Sequence, residues 1–103
     1  MSSLSITPTI RAAGAVVLIL RGSLGRTDIS SFAGAVGRLL RAHRPRRMEV
    51  DLSGLLELEP GTAEAVLAVI RTASRESTEI VLSHAPSAVR QQLRAAGGEP
   101  YLT

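Results

Sequence analysis

The sequence predicts an α/β domain with a mixed, mostly parallel sheet of four to five strands and three helices, in the order β-β-α-β-α-β-α. Short apolar runs indicate the strands, most clearly AVVLIL at 15–20 and EIVLS at 79–83. Apolar residues at helical spacing separate the later strands. The 103 residues are enough for one domain with its own core, and we expect that domain to span 1–103.

The N-terminal part predicts a hairpin. Residues 4–11 form an extended first strand, and Pro8 favours the edge of the sheet because proline cannot donate to a strand ladder. Residues 12–14 form the predicted turn. The second strand, 15–20, is expected to be covered on both faces and to end at 22–25.

Three helices follow from N-cap residues and periodicity. Thr27 and Asp28 are N-cap candidates for a helix over 29–42. Its predicted buried stripe comprises Ile29, Phe32, Ala33, Val36, Leu39 and Leu40. The second helix, over 63–74, buries Ala63, Val66, Leu67, Ile70 and Ala73 by the same argument, and the third begins at Ser87.

The segment 50–62 predicts the recognition surface. It continues a strand over 47–52, turns at 51–54, adds a short extended piece and then begins the second helix. The first turn of a helix offers unpaired N–H groups and a partial positive charge, so a loop that leads into it suits recognition.

Residues 101–103 add a short final edge strand or pack against the sheet.

Composition narrows the function classes. The chain has no cysteine, so it has no disulfide and no thiol nucleophile. Its longest apolar run, 12–20, is far below the ~20 residues that span a bilayer, and we expect a cytoplasmic protein. The net charge of +3 is too small to predict nucleic-acid binding, and no nucleotide-binding glycine motif occurs.

Candidate catalytic and metal-binding residues are few. Glu57 and Glu59 are paired acids without a nearby tuned partner, and His43 and His84 are lone histidines. We therefore expect no metal, no cofactor and no enzyme activity. A small enzyme or nucleotide-binding protein that uses Glu57, Glu59 and His84 is a rival hypothesis, which thermal shifts with nucleotides and metals would test.

A basic cluster follows the first helix and consists of Arg38, Arg41, Arg44, Arg46 and Arg47. It is either a patch for phosphate or an acidic partner, or a set of charges that complements the helix dipole. We favour the dipole interpretation, because no aromatic stacking platform accompanies the cluster.

Four segments resemble the STAS domains, the sulphate transporter and anti-sigma factor antagonist family. VDLSGL at 50–55 is similar to the family's strand motif, and LEPGTA at 58–63 stands where the family writes Ile-Asp-Ser-Ser-Gly-Leu. Residues 22–24 resemble the end of its second strand, and 87–97 resemble its third helix. The resemblance implies a STAS fold over nearly the whole chain.

In bacterial anti-sigma factor antagonists of this family, a partner Ser/Thr kinase that is also the anti-sigma factor phosphorylates the second Ser of that motif. The added charge of about −1.5 to −2 breaks the complex. Here Gly61 stands at that position without a side-chain oxygen to modify, Pro60 replaces the neighbouring Ser, and Gly25 replaces a common loop Asp. Thr62 is an alternative acceptor, but one residue turns a helix by about 100°, so its hydroxyl is expected to point elsewhere.

The resemblance therefore implies a non-catalytic module that docks a protein, an anti-sigma factor or Ser/Thr kinase, and that phosphorylation at the usual position cannot switch. It implies neither nucleic-acid binding nor insertion into a membrane. The expected docking surface includes the exposed side of the second helix and Gly25, Asp28, Glu57, Glu59, Pro60, Gly61 and Thr62. The alternative is an accessory STAS subunit of a membrane transport complex or a stress-signalling scaffold.

Overall fold

The computed structural model describes residues 3–11, 14–75 and 77–103, and these residues form four strands and three helices. The elements are β1 (Ser5–Ile10), β2 (Ala15–Leu24), α1 (Ile29–His43), β3 (Arg47–Leu58), α2 (Thr62–Ser74), β4 (Glu79–Ser83) and α3 (Ser87–Ala95). Single 3-10 turns lie at Arg26–Asp28 and Glu99–Tyr101. Ala12 and Ala13 of the predicted hairpin turn lie outside the described residues.

The sheet has the order β1-β2-β3-β4. β1 is antiparallel to β2, whereas β2, β3 and β4 run parallel to one another, which confirms the predicted mixed sheet. β1 lies at an edge of the sheet, as Pro8 predicts. The predicted final strand amounts to one parallel bridge, from Leu102 to Leu82.

The helices pack on one face of the sheet. Their buried residues share a core with alternate strand residues: Val16, Leu18, Leu20, Met48, Val50, Leu52, Ile80 and Leu82. The predicted stripe of α2 is confirmed in full, whereas Ile29, Ala33 and Leu40 of α1 are only partly buried. On the opposite face Val17 is buried but Ile19 and Val81 are partly exposed, so the prediction of cover on both faces was wrong beyond Val17.

β2 ends at Leu24, within the segment 22–25 that the sequence predicts as its end, whereas β3 continues past Gly54, where the sequence predicts a turn. The predicted turn at 51–54 is instead a bulge: Leu20 alone of β2 faces both Leu52 and Ser53 of β3. A second register shift leaves Leu56 as an extra residue between the Leu55 and Glu57 pairings. Each bulge adds one residue to β3 and redirects the side chains near it, so one long strand replaces the predicted strand, turn and short extended piece.

Asp51 stabilises the first bulge. Its Oδ1 accepts a hydrogen bond from the Ser53 backbone N–H at 2.9 Å, which satisfies a donor beside the interrupted pairing. Burial alone would raise the pKa of Asp51, but hydrogen bonds from Ser53 and the charges of His84 and Arg21 outweigh it. The pKa of Asp51 is therefore held below its ordinary value of 3.8.

We predict that Asp51→Asn lowers the free energy of unfolding at pH 7 by about 1 kcal/mol, because it removes the charge from the hydrogen bond to Ser53. A carboxylate with a lowered folded-state pKa stabilises the fold above its unfolded pKa and loses that contribution as the pH falls through the folded value. Urea unfolding should therefore give a smaller difference between wild type and variant at pH 3 than at pH 7. Glu57→Gln, an exposed change on the same strand, is the control. An equal loss from Asp51→Asn at both pH values would contradict this account.

Candidate functional site

The loop between β3 and α2 is fixed at three points. The Glu59 backbone N–H donates to the Leu24 carbonyl oxygen at 3.0 Å, so the loop continues the β2–β3 pairing by one bond. The Thr62 N–H donates to the Glu59 carbonyl oxygen at 3.1 Å and closes the turn. From α3, Gln92 Nε2 donates to the Leu58 carbonyl oxygen at 2.8 Å. The loop therefore has a defined position relative to the sheet and to α3.

The 25–28 turn lies against this loop. Asp28 is buried, and its Oδ2 accepts a hydrogen bond from the Gly25 N–H at 2.9 Å. The Glu59 carboxylate faces the same turn, with Oε1 3.4 Å from the Arg26 backbone nitrogen. A Cβ at position 25 would overlap the Glu59 carboxyl group, so glycine makes this close approach possible.

Gly61 provides the turn into α2. It is exposed and has φ +82°, in the left-handed region that glycine adopts without steric cost. A Cβ at this position would lie 3.2 Å from Arg26 Nη2. Both the backbone conformation and the neighbouring guanidinium therefore favour glycine here.

Thr62 begins α2 and faces the core. It is 0% exposed, and its Oγ1 has no hydrogen-bond partner within the described residues. An unpartnered buried hydroxyl costs about 1–3 kcal/mol. The hydroxyl of Thr62 is therefore not presented to solvent.

Leu56 is a surface residue that the sequence analysis did not single out. It is 85% exposed at the second bulge, between the buried Leu55 and Leu58. A detectable signal was present: Leu55-Leu56 breaks the apolar–polar alternation of the strand, and only one of two successive side chains can face the core.

The seven residues predicted for docking divide into two groups. Gly25, Asp28 and Thr62 are buried and shape the loop from beneath, whereas Glu57, Glu59, Pro60 and Gly61 are exposed. We call the exposed side chains of Leu56 and Glu57 together with residues 59–61 the β3–α2 surface. It combines one large apolar side chain with two carboxylates.

The other candidate residues form no metal site. His43 is exposed at the end of α1, and His84 is exposed after β4 with φ +57°. Across 3–11, 14–75 and 77–103, no three His, Cys, Asp or Glu side chains lie close enough together to hold a metal ion. In the same ranges no helix has the length and apolar character needed to cross a membrane.

Several solved structures share this fold at low sequence identity. Unphosphorylated SpoIIAA, an anti-sigma factor antagonist, has a TM-score of 0.79 at 14% identity, over 96% of this chain and 86% of that one. An anti-sigma factor antagonist from Mycobacterium paratuberculosis has a TM-score of 0.79 at 17% identity, over 97% and 83%. The STAS domain of a SulP transporter from Vibrio cholerae has a TM-score of 0.64 at 20% identity, over 91% and 75%.

These similarities establish the STAS fold, which occurs both in anti-sigma factor antagonists and in transporter domains. No curated protein gives a significant match to the sequence. The family model described as "Mlab, STAS domain" matches residues 9–100. The chain therefore belongs to the STAS domain family.

Proposed function

We propose that this protein is a non-catalytic binding module that docks a protein partner through the β3–α2 surface. The exposure of Leu56 is the main support for this proposal. This large apolar side chain is 85% exposed at a bulge. The loop beside it is held by three hydrogen bonds. Bulges that redirect a side chain are frequent next to functional sites. Because the loop is already ordered, a partner would pay little conformational entropy to bind it.

The chemistry of the β3–α2 surface defines the partner surface that would fit it. Leu56 would fill an apolar pocket, since buried apolar anchors dominate the energy of most interfaces. Glu57 and Glu59 would meet basic groups at the rim of that pocket, where charges mainly set orientation and association rate. A partner with an apolar pocket rimmed by Arg or Lys would be complementary.

We propose that the partner is an anti-sigma factor of the Ser/Thr kinase type. The two proteins would bind each other in the cytoplasm of a bacterium and would regulate transcription. Similarity to two anti-sigma factor antagonists supports this class of partner. We further propose that phosphorylation at the usual position does not switch the complex. Gly61 has no oxygen to modify, and the buried hydroxyl of Thr62 is a poor substrate.

A second candidate is an accessory STAS subunit of a membrane transport complex. The description of the matching family, "Mlab, STAS domain", and the similarity to a transporter STAS domain favour it. The same β3–α2 surface would then dock a transporter subunit, so the two candidates differ in the partner and agree on the surface.

Leu56→Ala should weaken binding to the partner by roughly tenfold or more, because it removes the apolar anchor. Ile10→Ala is the matched control: Ile10 is the other exposed large hydrophobic residue of the described chain, at 55%, and it lies on β1. Calorimetry with an anti-sigma factor kinase and with a transporter ATPase subunit from the same genome identifies the partner. Equal losses in both variants, or binding to neither protein, would contradict the proposal.

Incubation with the bound kinase and ATP should leave residues 59–62 unmodified, as read by mass spectrometry of the intact chain and its peptides. Gly61→Ser is the positive control, since it restores a hydroxyl at an exposed position for a strain of about 1–2 kcal/mol. We expect phosphate on that variant alone. Stoichiometric phosphate on wild-type Thr62 would show that the module is switched after all.

Thr62→Val should leave the free energy of unfolding unchanged or raise it by up to about 1 kcal/mol, because it replaces an unpartnered buried hydroxyl with a methyl group of similar size. Thermal or urea unfolding measures the difference. A loss of more than about 1 kcal/mol in the free energy of unfolding would mean that the Thr62 hydroxyl has a hydrogen-bond partner in the folded protein.

A further inference from the structure

A second surface lies between α1 and α2. An open groove of about 1160 Å³ runs along the two helices. Its walls include Ala33, Gly37 and Leu40 of α1 and Ala68, Val69 and Thr72 of α2. Most of these side chains are small, so the facing helix surfaces leave space between them where larger residues would have filled it. Val36 and Ala73, both buried, line the groove more deeply.

One end of the groove is strongly basic, because Arg41, Arg44 and Arg46 line it. Arg41 folds back over Gly37, with Nη1 3.0 Å from the position that a Cβ on Gly37 would take. In the described residues the side-chain ion pairs are Arg47–Glu79 at 3.0 Å and Arg94–Glu99 at 2.7 Å. The three groove arginines take part in neither pair, so their charges are not neutralised by a carboxylate of the described chain.

The groove and the β3–α2 surface lie at opposite ends of β3. Arg46 immediately precedes the strand, and Leu56 lies near its end. Ten residues of strand span roughly 33 Å, which is comparable with the 34 Å longest extent of the molecule. A ligand in the groove would therefore bind at a site separate from the β3–α2 surface.

The walls restrict the kind of ligand. Both are helices whose backbone groups are already hydrogen-bonded, so an extended peptide would find no ladder partners. A helix satisfies its own backbone and needs only apolar contacts and matched charges. The groove residues on α1, from Ala33 to Arg44, span roughly 17 Å of helix, which corresponds to about three turns.

We propose that this groove binds an amphipathic, acidic helix of a protein partner. Its apolar face would pack against Ala33, Leu40 and Val69, and its carboxylates would lie against Arg41, Arg44 and Arg46. This pairing would remove apolar wall surface from water and neutralise three neighbouring cations. The basic cluster then has a binding role in addition to complementing the dipole of α1.

The test is a selection from a displayed library of 16-residue helical peptides, with apolar residues at i, i+3, i+4 and i+7 and with Glu, Gln or Lys randomised elsewhere. The full chain is the bait. We expect the enriched peptides to be acidic, and we expect their affinity to fall by roughly tenfold or more in Arg41→Glu/Arg44→Glu. Arg71→Glu/Arg75→Glu is the matched control, because it reverses the same number of charges at exposed positions outside the groove lining.

Ala68→Leu tests binding in the groove independently if the double variant Arg41→Glu/Arg44→Glu does not fold. Ala68 is exposed on the wall of the groove, so this change narrows the groove without altering charge or core, and it should also weaken binding. No enrichment, enrichment of Lys-rich peptides, or binding abolished by Leu56→Ala would overturn the proposal. Two further results would overturn the proposal if peptide binding is absent. One is self-association of the chain in sedimentation that is lost in Arg41→Glu/Arg44→Glu. The other is binding of the chain to phosphatidylglycerol vesicles that is lost in the same variant.

Discussion

The parallel pairing of β2 with β3 is the constraint on which the rest of the structure depends. It begins at Ala15 opposite Arg47 and continues through two bulges to Leu24 opposite Leu58. One further backbone bond, from Glu59 to Leu24, extends it into the loop. Because the ladder persists to this point, the loop that begins α2 and the turn that begins α1 lie side by side. The β3–α2 surface is thus the end of a ladder, and its position follows from backbone hydrogen bonds.

Glycine and bulge positions determine the shape of the end of this ladder. The second bulge leaves both Leu56 and Glu57 exposed between the buried Leu55 and Leu58, and Gly61 turns the chain into α2 with a left-handed backbone. Gly25 leaves space for the Glu59 carboxyl group. In a relative with a serine at the position of Gly61, the surface would carry a modifiable hydroxyl. In this chain Gly61 places no side-chain hydroxyl at that position.

Much of this architecture could be predicted from local sequence. β4 has the predicted bounds, α1 and α2 are within one residue of theirs, and the α2 stripe is buried as periodicity predicts. The end of β3 could not be predicted, because Ser53-Gly54 is a turn signal that the β2–β3 pairing overrides. The burial of Thr62 and the α1–α2 groove depend on how helices pack against the sheet and against each other. Local sequence patterns do not encode that packing. Periodicity therefore predicts Ala33 and Leu40 as core residues, whereas in the structure they line the groove.

Amide hydrogen exchange at Glu59 tests the central constraint most directly. If the β2–β3 ladder extends into the loop, the Glu59 N–H is held by the Leu24 carbonyl oxygen, and it should exchange nearly as slowly as the amides in the centre of β3, such as Val50. A Glu59 amide that exchanges at the rate of an unstructured peptide while Val50 is protected would contradict the account. The β3–α2 surface would then be a mobile loop without a fixed shape to present.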